Sequence, residues 1–119
     1  MLRVGADIVS LPRFSKALKR WGQRLTKRLF TQGEVARAEG AHRVKELAGA
    51  FAAKEAFLKA LGTGLAEGIR WQDVEVVKDR LGAPSYSLSG KAAELFKGRS
   101  ALSISHDGDY VIAVCILEE

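Results

Sequence analysis

Ala48-Gly-Ala-Phe-Ala-Ala-Lys-Glu-Ala-Phe-Leu-Lys-Ala-Leu-Gly-Thr-Gly64 is the stretch that decides how this chain folds. Alanine, leucine, lysine and glutamate fill most of it, residues that lose little on entering a helix. The apolar period extends back to about Arg43, so a long helix is predicted from Arg43 to Leu61. Val44, Leu47, Ala48, Phe51, Leu58 and Leu61 would be its buried stripe. Gly62 is a natural left-handed stop, and Gly62-Thr63-Gly64 makes a turn with an accessible backbone. Glu55 stands one turn after Phe51 and one turn before Leu58, at the edge of the stripe. A carboxylate in that place is costly to bury without a partner.

Working outward, Leu2 to Val9 is rich in apolar and β-branched residues and reads as a strand carrying a second acid, Asp7. Ser10 can cap the next element, with Pro12 in its first turn. Leu11, Phe14, Leu18 and Trp21 recur at helical spacing up to Gly22, opposite Arg13, Lys16, Lys19 and Arg20. After a short segment with Leu25, Leu29 and Phe30, the capping-box spacing of Thr31 and Glu34 predicts a small helix stopping near Gly40.

Downstream of the long helix the pattern is mostly strand: Trp71 to Val77, Pro84 to Ser89, Ala101 to His106 and Tyr110 to Leu117. Asp107-Gly-Asp109 is a hairpin signal between the last two, and Ser89 can cap a helix from Gly90 to Phe96. Helices grouped in the first half and strands returning through hairpins indicate an α+β fold, an antiparallel sheet packed on the long helix. Tyr110 to Leu117 is apolar at nearly every position, which predicts burial of both faces and argues for association through the sheet.

The 119 residues suit one domain, 1–119, and 47% hydrophobic residues can fill a core. No apolar run is long enough to span a bilayer, and Asp7 interrupts any signal-peptide order, so a cytoplasmic protein without membrane contact is expected. Cys115, the single cysteine, lies in an apolar run and reads as a buried hydrophobe. The net charge of +5 is uneven: no acid occurs between Asp7 and Glu34, while Arg13, Lys16, Lys19, Arg20, Arg24, Lys27 and Arg28 do. Such a one-sign surface favours an anionic partner.

Two readings of the acids stay open at this point. Asp7 can cap or pair with a base, and Glu55 can pair with Lys59 four residues on, a contact worth ~0.3–0.5 kcal/mol when exposed. Alternatively Asp7 and Glu55 share a cation, since two carboxylates completed by phosphate oxygens and waters suit Mg²⁺. Lys59 would then neutralise phosphate charge beside it. No GxSxG, Walker loop, paired CxxC or HExxH is present.

Taken together, Gly5-x-Asp7-Ile-Val, Arg13, Phe51-Ala-Ala-Lys-Glu-Ala-Phe-x-Lys-Ala-Leu-Gly-Thr-Gly64, Trp71-x-Asp73-Val-Glu-Val, Gly82-x-Pro84 and Ser103-Ile-Ser-His106-Asp resemble the holo-[acyl-carrier-protein] synthase family of small phosphopantetheinyl transferases. The resemblance covers essentially the whole chain. It implies the 4′-phosphopantetheinyl transferase-like fold, a homotrimer with sites between subunits, and a role in fatty acid biosynthesis. The reaction implied is transfer of 4′-phosphopantetheine from coenzyme A to a serine of apo acyl carrier protein, releasing adenosine 3′,5′-bisphosphate. By position, Asp7 and Glu55 would hold Mg²⁺, and Lys59 would hold the pyrophosphate. His106 would lie near the same phosphates, and Gly62, Thr63 and Gly64 would border the nucleotide. Arg13, Lys16, Arg20, Arg24 and Arg28 would dock the acidic carrier protein, and either Glu55 or a metal-bound water would accept the serine proton. One position departs from the family: Ala50 stands where a nucleotide-binding arginine is common, with Arg43 or Lys45 as substitutes.

A nucleic-acid-binding module is the rival from another class, and it would want aromatics interleaved with the bases. Only Phe14 and Trp21 are near, both assigned to the apolar side. A basic docking module without catalysis is the third reading. Asp7→Asn or Glu55→Gln would remove turnover from an enzyme and leave either module unaffected.

Overall fold

The computed structural model describes Met1–Glu119. In chain order the elements are β1 (Leu2–Ser10), α1 (Leu11–Trp21), α2 (Gln23–Leu29), α3 (Gln32–Arg37), α4 (Arg43–Leu61), β2 (Val74–Lys78), β3 (Pro84–Leu88), α5 (Gly90–Leu95), β4 (Arg99–Asp107) and β5 (Tyr110–Glu118). The α+β expectation holds. A three-stranded antiparallel sheet, ordered β1-β5-β4, packs on α4, and the hairpin β2-β3 stands beside it as a second sheet.

Helix α4 starts and ends where its sequence predicts, closing on Gly62 with φ 89°. Its burial differs from the predicted stripe. From Leu47 to Leu61 every residue is buried except Phe51, Glu55 and Lys59. Val44 and Phe51, assigned to the buried side, are only partly covered. The physical reason is enclosure: β1 and β5 cover one flank of α4, and α1, α3 and β2 cover others. What remains open is a single line at i, i+4 and i+8, and two of its three members are charged.

The tightest approach is at Gly5. A Cβ there would stand 2.0 Å from the Ala56 carbonyl oxygen and 2.6 Å from the Ala60 nitrogen, so only glycine lets β1 lie this close to α4. Asp7, two residues along the same face of β1, is thereby delivered to the open line of the helix.

Four expectations are corrected. In β5, Val111, Ala113, Cys115 and Leu117 are buried, but Tyr110, Ile112, Val114 and Ile116 face outward and exposed. No element of the chain covers that face of the sheet. Trp21 is 43% exposed rather than part of the α1 stripe, because Gly22 (φ 53°, ψ −130°) turns the chain sharply before α2. The strand predicted from Trp71 begins only at Val74; Trp71–Asp73 forms a 3₁₀ turn whose Asp73 carboxylate accepts from the Arg70 nitrogen at 3.0 Å. Ser89 precedes α5 without a side-chain cap, and its backbone N–H donates to the Asp73 carbonyl at 2.9 Å.

The capping box is formed: Thr31 Oγ1 accepts from the Glu34 nitrogen at 3.1 Å, and Glu34 Oε1 accepts from the Thr31 nitrogen at 2.8 Å. Glu34 does more. Its carboxylate also receives the Val76 N–H at 2.7 Å and the ammonium of Lys54 at 2.7 Å. Lys54 donates as well to the carbonyls of Trp71 (3.1 Å) and Val74 (2.8 Å), binding α3, α4 and β2 together.

Candidate active site

Asp7, Glu55 and Lys59 meet where β1 crosses the open line of α4. Lys59 Nζ donates to Asp7 Oδ1 at 2.9 Å and to the Ala6 carbonyl at 3.0 Å. The intrahelical Glu55–Lys59 pair is therefore not formed, since Lys59 reaches across to the strand. Glu55 enters none of the ion pairs. Burial pushes its carboxyl above the ordinary glutamate range, the Asp7 charge pushes in the same direction, and Lys59 opposes both.

This arrangement fits a divalent cation. The one ammonium beside the two carboxylates is bonded to Asp7, while burial and the Asp7 charge disfavour the charged form of Glu55, a penalty that a bound cation would relieve. No group of three or more His, Cys, Asp or Glu is assembled anywhere in the chain, so the protein would supply two ligand side chains. Phosphate oxygens and waters suit the remaining positions of a hard cation.

The groove beside the acids continues to α1. Asp7, Ser10, Arg13, Phe14, Phe51 and Glu55 line it, so Arg13 borders the carboxylates. Lys16, Arg20, Arg24 and Arg28 are exposed on α1 and α2, and neither helix carries an acid. The Gly62-Thr63-Gly64 turn is at the far end of α4, where the Thr63 hydroxyl donates to the Gly64 carbonyl at 3.0 Å.

His106 is elsewhere. It sits near the end of β4 with Nε2 3.4 Å from Lys45 Nζ. It lines a separate cavity with Arg37, Lys45, Gly49, Ala50 and Lys78, and neither Asp7 nor Glu55 borders that cavity. Within one chain, then, the structure does not bring His106 to the acid pair. Of the two substitutes for the missing arginine, Lys45 lines the cavity with Ala50, whereas Arg43 in the first turn of α4 does not. Arg37 was not legible as a neighbour of Ala50. It arrives from the last turn of α3, anchored to the Val76 carbonyl, a contact with no local signal. Cys115 is buried, and burial pushes its thiol up, as suits a packing role.

Comparison with known proteins decides the family. The family model described as the 4′-phosphopantetheinyl transferase superfamily matches residues 3–115. The chain belongs to that superfamily. A holo-[acyl-carrier-protein] synthase of Geobacter metallireducens is 48% identical over 119 residues, covering 96% of this chain and 94% of the relative. The crystal structure of holo-[acyl-carrier-protein] synthase from Neisseria meningitidis superposes with TM-score 0.90 at 33% identity, covering 98% of each chain. The Helicobacter pylori holo-[acyl-carrier-protein] synthase, solved in complex with coenzyme A, gives TM-score 0.87 at 32% identity over 97% of this chain and 99% of that one. The transferase is thus an enzyme of the holo-[acyl-carrier-protein] synthase kind, and its acid pair stands on the fold common to these structures.

Proposed function

We propose that the transferase, acting as a single domain in the cytoplasm, moves 4′-phosphopantetheine from coenzyme A to a serine of apo acyl carrier protein, in support of fatty acid biosynthesis. The observation that carries this reading is the carboxylate pair Asp7–Glu55, with Glu55 unpartnered, at the mouth of a groove that runs to a purely basic helix. In the reaction the serine oxygen bonds to the phosphorus nearer the pantetheine. The bond from that phosphorus to the bridging oxygen breaks, and adenosine 3′,5′-bisphosphate leaves with the electron pair. The serine gives up its proton to solvent or to a base in the groove.

Asp7 and Glu55 are the residues that would hold Mg²⁺. When bound there, the ion supplies Lewis-acid neutralisation of the phosphate charge. Lys59, already oriented by the Ala6 carbonyl, adds a positive point charge at the same place. Such positioning and charge neutralisation are most of what phosphoryl-group transfer requires. Arg13 lies between the groove and the other bases of α1 and α2, a layout that suits delivery of a carrier-protein serine to the acids. Gly62, Thr63 and Gly64 would border the nucleotide, and Lys45 and His106 would meet an anionic part of it.

The outward face of the sheet supports a homotrimer. Val4 and Ile8 of β1 are 67% and 61% exposed, beside Ile112, Val114 and Ile116 of β5. A contiguous apolar surface of this kind is characteristic of an interface. A second subunit would also offer a way for the separate His106 cavity and the acid pair to serve one coenzyme A.

The test is intact-mass spectrometry of apo acyl carrier protein incubated with the transferase, coenzyme A and Mg²⁺, with an EDTA control. A gain of one phosphopantetheine that EDTA abolishes is the expected result. No gain with several folded carrier proteins would overturn the reading.

A further inference from the structure

Lys59 makes a contact that the transfer proposed above has to undo. Its ammonium donates to Asp7 Oδ1 at 2.9 Å and to the Ala6 carbonyl at 3.0 Å. No other base forms an ion pair with Asp7, and Arg13, although it borders the groove, pairs with neither acid. The two partners differ in freedom. Asp7 is held in register opposite Ala113 of β5 and its side chain is 17% exposed, whereas that of Lys59 is 53% exposed at the end of a flexible stem. Lys59 is the part that moves.

Asp7 Oδ1 is an oxygen that a divalent cation between the acids would use, and the ammonium already occupies it. Charge counting agrees. With both carboxylates ionised, Lys59 returns one of their two charges, so a divalent ion entering alone leaves the cluster positive. The pyrophosphate of coenzyme A reverses this, because it brings its own negative charges and offers the ammonium another strong acceptor. The Ala6 carbonyl is neutral and fixed in β1, so Lys59 can keep that bond while its remaining N–H groups turn from Asp7 to a phosphate.

We propose that Lys59 is an internal counter-ion of the acid pair, which weakens metal binding to the free enzyme and releases Asp7 when the donor's pyrophosphate arrives. Metal and donor then bind with positive coupling, and the coupling is reciprocal. The inference rests on the reading of Asp7 and Glu55 as metal ligands and adds the device that links the two ligands. A permanent structural tie fits less well. β1 is already joined to α4 by the close approach at Gly5 and to β5 along its whole length, and an ion pair this exposed contributes little to a fold. The same weakness makes it exchangeable.

The test follows Mn²⁺ binding by electron paramagnetic resonance, with and without saturating coenzyme A, for wild type, Lys59→Met and Lys59→Arg. Melting temperatures verify that each variant is folded. Without coenzyme A, Lys59→Met should bind Mn²⁺ ~5-fold more tightly than wild type, and Lys59→Arg, which keeps the cation, should stay near the wild-type value. Coenzyme A should tighten Mn²⁺ binding by a larger factor in wild type than in Lys59→Met. Equal or weaker Mn²⁺ binding by Lys59→Met in the absence of coenzyme A would overturn the counter-ion role and leave the metal site standing. So would an equal tightening by coenzyme A in the two proteins. A wild-type enzyme that binds no Mn²⁺ even with coenzyme A present overturns the reading of the acid pair, and the counter-ion role with it.

Discussion

Lys54 and Glu55 are adjacent on one helix and have opposite fates. Lys54 is completely buried, and every bond its ammonium makes is to a group of the protein: the Glu34 carboxylate and two carbonyls. Burial lowers its affinity for a proton, and the Glu34 charge offsets this. Glu55, rotated by about 100° around the axis, lies on the one line of α4 open to the groove and has no partner. A closed network ties elements together. An unanswered charge at a groove is available to a ligand. The two thus differ in whether the fold supplies the counter-charge, and the pair is best tested by breaking each in turn.

The largest effect on the fold is expected from Lys54→Met. It leaves the Glu34 carboxylate buried without its cation and two carbonyls without a donor, a loss of roughly 3–5 kcal/mol in unfolding free energy, measurable by urea denaturation. The folded fraction should still transfer phosphopantetheine. Next is Glu55→Gln, which should slow transfer roughly 10–100-fold while the melting temperature of the metal-free protein does not fall. If its melting temperature drops as far as that of Lys54→Met, the contrast between the two residues is wrong.

The smallest effect is a pH dependence, and its sign is specific. Because the Glu55 carboxyl is raised in the folded state, the native protein keeps a proton that the unfolded chain has already released. Stability of the metal-free protein therefore falls as pH rises through the interval from the ordinary glutamate value to the raised one, and the penalty is complete above it. Calorimetric melting across that interval should show a decline in wild type and a flatter profile in Glu55→Gln. Mg²⁺ added at neutral pH should raise the wild-type melting temperature more than that of the variant. Equal responses of both proteins to Mg²⁺ would remove Glu55 from the metal site.

Much of this was visible in local pattern. The limits of α4, its stop at Gly62, the capping box of Thr31 and Glu34, and the Asp107–Asp109 hairpin all depend on residues within a few positions of one another. The acid pair was legible in part. Glu55 stood out as an acid beside apolar residues, but its expected partner Lys59 turned to Asp7. Trp21 followed the helical period and still ended outside, because the chain turns away at Gly22 before the indole can be covered.

By itself the sequence determined the limits of α4, the α+β class, the family pattern around Lys54 and Glu55, and the one-sign charge of the segment from Arg13 to Arg28, but not the helix α2 at Gln23–Leu29. These are properties of spacing and composition, and no distant contact can alter them. Tertiary structure alone decided which neighbours answer which charges. Glu34 reaches Lys54, Lys59 reaches Asp7, and Glu55 is left unanswered because Gly5 lets β1 close on α4 while α1, α3 and β2 cover its other sides. Hydrogen bonds and ion pairs act over a few ångströms, so their partners are set by where the chain returns in space.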